Sequence, residues 1–287
     1  MLVVLLAAGA VVRAGSAEDL RLSEAFPDPG LAACVAEELD RGPDERVPAY
    51  ELAEVLTLDC GNGGATGATV ERLTGLERLP DVAGLDLSSN SVSDLGPLRD
   101  MRKLSRLTLT HNRVQDLEPL RDLPVLSDLG LSDNQIADLT VLATLQQLRF
   151  LGVAQNDVDD LAPLAGLARL DTVDLSENQI ADVRPLSALP VLDRLTLTGN
   201  RVEDVAPLQS LPGLTMLDLQ RNAVRSTAAF RVGFPLLDEL WLGENPLRDV
   251  TGLLALPELD GVDLAGIGPV PGVAELERAG VYVGGRA

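Results

Sequence analysis

Reactive side chains are scarce in this sequence, and their spacing restricts the chemistry open to them. It holds one histidine, His111, and two cysteines, Cys34 and Cys60, so no nucleophile–base pair and no nitrogen and sulfur metal shell is evident. Carboxylates are abundant: 44 Asp and Glu stand against 23 Lys and Arg, a formal net charge of −21. Asp94, Asp116, Asp138, Asp160, Asp182, Asp204 and Asp249 occupy one recurring position. Such a file reads first as caps on short helical pieces, with a calcium-binding ladder as the alternative. Asp174 and Asp218 are an example of a pair that acid–base chemistry would need. Two repeats, however, would set them roughly 10 Å apart on neighbouring strands with no pocket between. The run Gly61-Asn-Gly-Gly-Ala-Thr-Gly67 looks like a phosphate loop, but it lacks the Lys-Ser/Thr ending and the strand–loop–helix context. It reads as an insertion that lengthens a turn. No cofactor or metal is implied, and the chain reads as non-catalytic.

The elements that carry these residues are set by a ruler. Asparagine falls at Asn90, Asn112, Asn134, Asn156, Asn178, Asn200 and Asn222, each step 22 residues long, and then at Asn245 after a step of 23. Around each lies the phrase L-x-x-L-x-L-x-x-N, which is a leucine-rich repeat of 22 residues. Within a unit Leu107 and Leu109 alternate with Arg106, Thr108 and Thr110, the period of a short strand with its leucines inward. Val114, Leu117, Leu120, Leu123 and Leu126 then come every third residue, the spacing at which 3₁₀ turns stack their side chains. Asp116 is placed to cap that piece and Pro119 limits its length. The asparagine should lie buried at the strand exit, its amide bonding the backbone of its own and the neighbouring turn. No unit can bury its own apolar face, so the units must stack. The predicted fold is an α/β solenoid: a right-handed coil with a parallel concave sheet, a convex side of 3₁₀ pieces and turns, and a small helical N-terminal cap.

In chain order, residues 1–17 carry a short apolar run from Met1 to Val12 and then small residues, the pattern of a secretory signal peptide, although no Lys or Arg precedes the run. A buried or disordered N-terminus is the other reading. Residues 18–54 form the predicted cap, with turn chemistry at Phe26-Pro-Asp-Pro-Gly30, a helix presenting Leu31, Cys34, Val35 and Leu39 on one face, and a second helix within 47–54. Residues 55–287 hold about ten coils, the closing one included. This layout resembles the internalin family of secreted bacterial leucine-rich-repeat proteins. The resemblance rests on the Phe-Pro-Asp-Pro-x-Leu opening and the helix after it, on the entry through Leu52, Val55, Leu58 and Cys60, and on the Asp-Leu-x-Pro-Leu phrase at Asp116–Leu120. It implies recognition of a host or cell surface. No stalk or wall-sorting motif follows the array, which argues against covalent surface anchoring. Cys34 and Cys60 are read two ways: a disulfide pinning cap to array, worth about 3 kcal/mol, or two buried thiols that merely pack. Between Arg225 and Pro235 the unit gains a residue, replaces its Asp cap with Ser226 and drops the repeat's proline, so a convex-side irregularity is expected there.

The acidity excludes a nucleic-acid footprint and disfavours anionic membranes, and no later segment is long enough to span a bilayer. Function must then lie on the outward columns of the sheet. Most of their residues are small or polar, but Phe150, Met216 and Trp241 are large and apolar in a chain only 2% aromatic. Trp and Arg are enriched in interface hot spots. The predicted contact patch is therefore Trp241 with Met216, Arg194 and Arg221, and Phe150 and Arg106 are further candidates on the same face. The resulting expectation is a monomeric, exported protein-binding or adhesion module whose partner is a protein or a cell-surface glycan. The alternative is a cytoplasmic leucine-rich-repeat scaffold that regulates another enzyme.

Overall fold

A computed structural model describes residues 19–285; the proposed leader, 1–17, lies outside the described residues. Every unit contributes a strand of three residues, from Thr57–Asp59 through Gly84–Asp86 and Arg106–Thr108 to Tyr282–Gly284. These strands pair in parallel and in chain order as one sheet of 11. Leu85 faces Leu107, Leu107 faces Leu129, and Leu129 faces Leu151, so each step of 22 residues lands on its own kind. Leu107, Leu109, Val114, Leu117, Leu120, Leu123 and Leu126 are all at most 2% exposed, and the same set is buried in the neighbouring coils. The core is thus one continuous file of Leu, Val and Ile, each fully buried side chain contributing roughly 1.5–3 kcal/mol.

On the convex side short 3₁₀ pieces recur, as at Glu118–Leu120, Ala162–Leu164 and Arg184–Leu186. The residue flanking each is the buried Leu or Val, so the Asp stands one place earlier and reaches forward two residues. Asp116 Oδ1 accepts from the Glu118 N–H at 2.8 Å, and Asp94, Asp138, Asp160, Asp182, Asp204 and Asp249 do the same in their coils. These are Asx turns that satisfy the first free amide of each piece. In the irregular unit the Ser226 hydroxyl takes over, accepting from the Ala228 N–H at 3.1 Å.

The asparagine file ties coil to coil. Asn112 donates through Nδ2 to the Leu109 carbonyl of its own coil at 3.0 Å and to the Leu87 carbonyl of the preceding one at 2.8 Å. Its Oδ1 accepts from the Val92 N–H at 2.9 Å, and the arrangement repeats at every ladder position through Asn245. Six of the eight are buried; Asn134 and Asn222 are half-buried. The residue before the asparagine is left-handed, with φ between 53° and 57° at Ser89, His111, Asp133, Gln155, Glu177, Arg221 and Glu244. That conformation is uncommon for residues other than glycine, and here it aims the amide inward.

Both ends of the stack are covered. Helices at Leu22–Ala25, Pro29–Glu38 and Ala49–Leu52 precede the first strand, and a two-stranded antiparallel pair joins Leu20–Arg21 to Arg46–Val47. The expected four-residue face of the middle helix is too narrow: every residue from Gly30 to Ala36 is buried. The helix lies between the first coil and the glycine-rich segment 61–67, and a Cβ at Gly30 would sit 2.6 Å from the Ala68 carbonyl. Asp28 is 2% exposed and holds three amides: Leu31 at the helix start, and Glu71 and Arg72 in the first coil, each at 3.0 Å. Cys34 and Cys60 are joined as a disulfide with 5.5 Å between their Cα atoms. Segment 61–67 is a pair of tight turns with left-handed φ at Asn62, Gly63, Gly64 and Gly67, folded against the helix. At the other end a helix, Val273–Arg278, leads into the last strand.

The irregular unit absorbs its extra residue on the convex side without disturbing the sheet. Phe230 and Phe234 are fully buried and stack with ring centroids 5.0 Å apart. Gly233 and Phe234 take left-handed φ, and a side chain at Gly233 would strike the Gln209 carbonyl at 2.4 Å. Thr227 is buried, donating to the Asp249 carbonyl and accepting from the Gly252 N–H. Met216 still pairs with Glu239, one step of 23 residues later.

Two stability predictions follow from these ties. Asn156→Ala strands the Ile136 N–H, whose acceptor is Asn156 Oδ1, while the Leu131 carbonyl keeps its bond from Asn134 Nδ2 at 2.9 Å. It should lower unfolding stability by about 1–3 kcal/mol, the cost of one buried unpaired group, read from the denaturant midpoint by circular dichroism. Replacing Cys34 and Cys60 with alanine opens a 26-residue link and should cost about 3–4 kcal/mol, whereas native protein should show no titratable thiol before reduction.

Candidate recognition surface

The outward positions of the strands form two columns. One runs Gly84, Arg106, Asp128, Phe150, Thr172, Arg194, Met216, Glu239, Gly261 and Tyr282. The other runs Asp86, Thr108, Gly130, Gly152, Asp174, Thr196, Asp218, Trp241, Asp263 and Gly284 over the same pairings.

The aspartates of the second column are engaged with the backbone. Asp86, Asp174, Asp218 and Asp263 each accept from the N–H two residues on, at Ser88, Ser176, Gln220 and Ala265, over 2.8–3.0 Å. Asp174 also takes the Ser176 hydroxyl at 2.6 Å. They shape the exit of each strand, a role their sequence context did not reveal. The Asp218 carboxyl is pushed above the ordinary carboxylate range, first by its burial and then by the neighbouring Asp174 and Asp263, against the pull of the Gln220 N–H and the Thr198 hydroxyl.

The residues singled out in the sequence divide into two groups. Trp241 sits between Asp218 and Asp263 in register, with Met216 diagonal to it and Arg194 one strand beyond Met216. Arg221 turns away from them. Its Nη1 lies 2.6 Å from Glu177 Oε1, reaching back across Gly199, where a Cβ would collide with the Glu177 carboxylate at 2.6 Å. The left-handed turn at Arg221 aims its side chain along the turn file, so it does not flank Trp241 as expected. Phe150 is 39% exposed and lies four strands before Trp241, about 19 Å at ordinary strand spacing, with its ring over Gly152. Arg106 lies two strands before Phe150, beside Gly84. His111 belongs to the turn file as well, paired with Asp133 and exposed.

What gathers around Trp241 is a hollow of about 230 Å³. Trp241 and Glu239 line one side, Tyr282 and Gly284 the other, and Gly261, Val262 and Asp263 the strand between them. Gly261 and Gly284 present no side chain, which keeps the space open. Tyr282 is 75% exposed. It escaped sequence reasoning because its step from Gly261 is 21 residues rather than 22, in a tail read only as the closure of the array. The hollow offers aromatic surface and carboxylate oxygens, and no nucleophile lines it.

A pH-dependent prediction comes from Asp218. Its folded-state pKa is raised, so the ionised form costs stability above that value, and the cost fades as pH falls toward the ordinary carboxylate range. Asp218→Asn keeps an acceptor for the Gln220 N–H and removes the charge. Its melting temperature should exceed that of the unmodified chain at pH 7, and the gap should close in acid; a constant or reversed gap would contradict the assignment.

No curated protein matches the chain by sequence. Residues 128–234 match a family model described as leucine-rich repeat. Among solved structures, an internalin of Listeria monocytogenes, InlF, superposes with a TM-score of 0.78 at 23% identity, covering 94% of this chain and 86% of that one. Internalin C2 of the same organism gives 0.71 at 29% identity, covering 87% and 98%. A leucine-rich-repeat protein of Leptospira interrogans gives 0.72 at 22% identity, covering 82% and 62%. With the asparagine file, the parallel sheet and the helical cap already in place, the chain is an internalin-like leucine-rich-repeat protein.

Proposed function

We propose that this chain is a non-catalytic recognition module that works outside the cytoplasm as a monomer, holding its concave sheet to a partner protein. The observation that carries this reading is the Trp241–Tyr282 hollow, on a sheet face whose other outward residues are mostly small or polar, Met216 and Phe150 apart. Stability gives no reason to place indole and phenol rings there, because the core is filled from the opposite side of every strand. A half-buried Trp241 and an exposed Tyr282 beside a concavity are the kind of aromatic groups in which interface hot spots are enriched. A cell-surface glycan is the second occupant this geometry admits, since a sugar ring stacks on the same surfaces.

Export is supported by the disulfide between cap and first coil, because such bonds persist in oxidising surroundings and are rare in the cytosol. The reading of 1–17 as a leader, 18–54 as the cap and 55–287 as the array belongs to the same proposal. No helix of the described residues is long and apolar enough to cross a membrane. The cytoplasmic scaffold would require the Cys34–Cys60 bond to be reduced in use.

Fractionation with N-terminal sequencing tests the location: a mature chain beginning near Glu18 outside the cytoplasm supports it, and an intact Met1 in the cytosol refutes it. Recognition is tested by partner capture with Trp241→Ala and Tyr282→Ala. Each should weaken capture by about tenfold or more, a hot-spot loss of roughly 1.4–2 kcal/mol, with an unchanged circular dichroism spectrum. Undiminished capture by both variants would move the contact elsewhere.

A further inference from the structure

We infer that the hollow between Trp241 and Tyr282 receives an arginine side chain of the partner protein. This rests on the recognition reading above and names the chemistry of what is recognised. Two aromatic walls stand on either side of a strand whose first outward residue is Gly261, so an incoming group meets ring surface and open backbone. Glu239, exposed at the rim, takes part in none of the ion pairs among the described residues. Asp263 spends Oδ1 on the Ala265 N–H, while Oδ2 lies 3.5 Å from where a Cβ of Gly284 would sit, beside the Tyr282 ring, whose edge is 3.3 Å from the same point. The hollow therefore combines aromatic faces with an uncommitted carboxylate and a half-committed one, and no cationic residue lines it.

Charge complementarity selects the occupant. A cation over an aromatic face is attracted by the ring's quadrupole, and a carboxylate within reach adds to that attraction. A neutral sugar would cover the rings but leave the Glu239 charge uncompensated, and an anionic chain would be repelled. At about 230 Å³ the space lies below the roughly 300–1,000 Å³ of sites for drug-sized ligands, which fits one side chain of a larger partner. Arginine is favoured over lysine because its planar guanidinium stacks on rings while its fork donates to two carboxylates at once. The net charge of −21 would speed the approach of a basic partner surface.

Trp241 is the sole tryptophan of the chain, so its fluorescence reports directly on the hollow. The full chain is titrated with capped peptides of alternating glycine and arginine, with the same peptides carrying lysine or glutamine, and with cellotetraose. The expected result is a saturable change for the arginine peptide, weaker for lysine and absent for glutamine. Glu239→Gln, an exposed change that should leave the fold intact, should weaken arginine-peptide binding about three- to tenfold, and Tyr282→Ala at least as much. Binding should also fall as salt is raised. The inference is overturned if no saturable change occurs with arginine, if glutamine or cellotetraose binds as well, or if Glu239→Gln is without effect. Its failure is separable from that of the recognition reading. Capture of a partner that depends on Trp241 yet ignores competing arginine peptide sinks only the inference, whereas capture indifferent to Trp241 and Tyr282 sinks the reading beneath it.

Discussion

The side-chain amide of each ladder asparagine joins two coils at the corner where strand pairing stops. Strands of three residues supply few ladder bonds, and just beyond them the backbone enters the dry interior with unpaired N–H and C=O groups. One asparagine answers both needs, donating to carbonyls of its own and the preceding coil while accepting an N–H from that preceding coil. Ser, Thr or Asp could accept but could not donate twice. The requirement is geometric as well as chemical, because the left-handed residue before it must turn the amide inward. It fixes where length can vary. The extra residue of the 225–235 unit lies on the convex side, while Asn245 still bonds the Leu219 carbonyl at 2.7 Å and the Val224 N–H at 2.9 Å.

That constraint explains what was legible in the residues alone. A periodic architecture writes each requirement once per coil, so leucine positions, asparagines, convex aspartates and even the substitution by Ser226 can be read by comparing units. Features that occur once have no second copy to compare. The near-complete burial of Gly30–Ala36 depends on segment 61–67 folding over the helix, a contact between parts with no common period. Asp28 looks like an ordinary helix cap in sequence, and its bonds to Glu71 and Arg72 cross more than 40 residues. Arg221 was placed on the correct coil but not in the correct direction, since its partner Glu177 lies two coils back in the turn file. Tyr282 was hidden by a shortened last step.

The acidity of the chain divides along the same lines. Convex and concave aspartates use one local device, a carboxylate accepting the N–H two residues on, yet Asp182 and Asp218 come out of it with opposite shifts. On the convex side Asp182 is held down to about 2, chiefly by its hydrogen bond to Arg184, and Asp138 and Asp249 are lowered by hydrogen bonds from Thr140 and Thr251. These carboxylates face water and have donors to themselves. On the concave face Asp218 is raised, because burial and its neighbours in the column, Asp174 and Asp263, oppose its charge. The Asp182, Asp138 and Asp249 carboxylates are therefore favoured in the folded chain, whereas the charge of Asp218 is opposed by its surroundings.

This distinction bears on which outward residues answer to a partner rather than to the fold. Inward positions are dictated by the core, the turn file by its left-handed backbone, and the column aspartates by the amides they accept. Trp241 occupies a place where Asp218 on one side and Asp263 on the other perform that last service, and an indole can only donate. Its coil forgoes a side-chain bond worth about 1 kcal/mol, as the coils of Thr196 and Thr108 also do, so stability tolerates the exchange without requiring it. A large apolar group at a position where neighbouring coils place something small or acidic, opposite the more exposed Tyr282, is therefore not accounted for by the requirements of the fold, and the proposed recognition role rests on that residue.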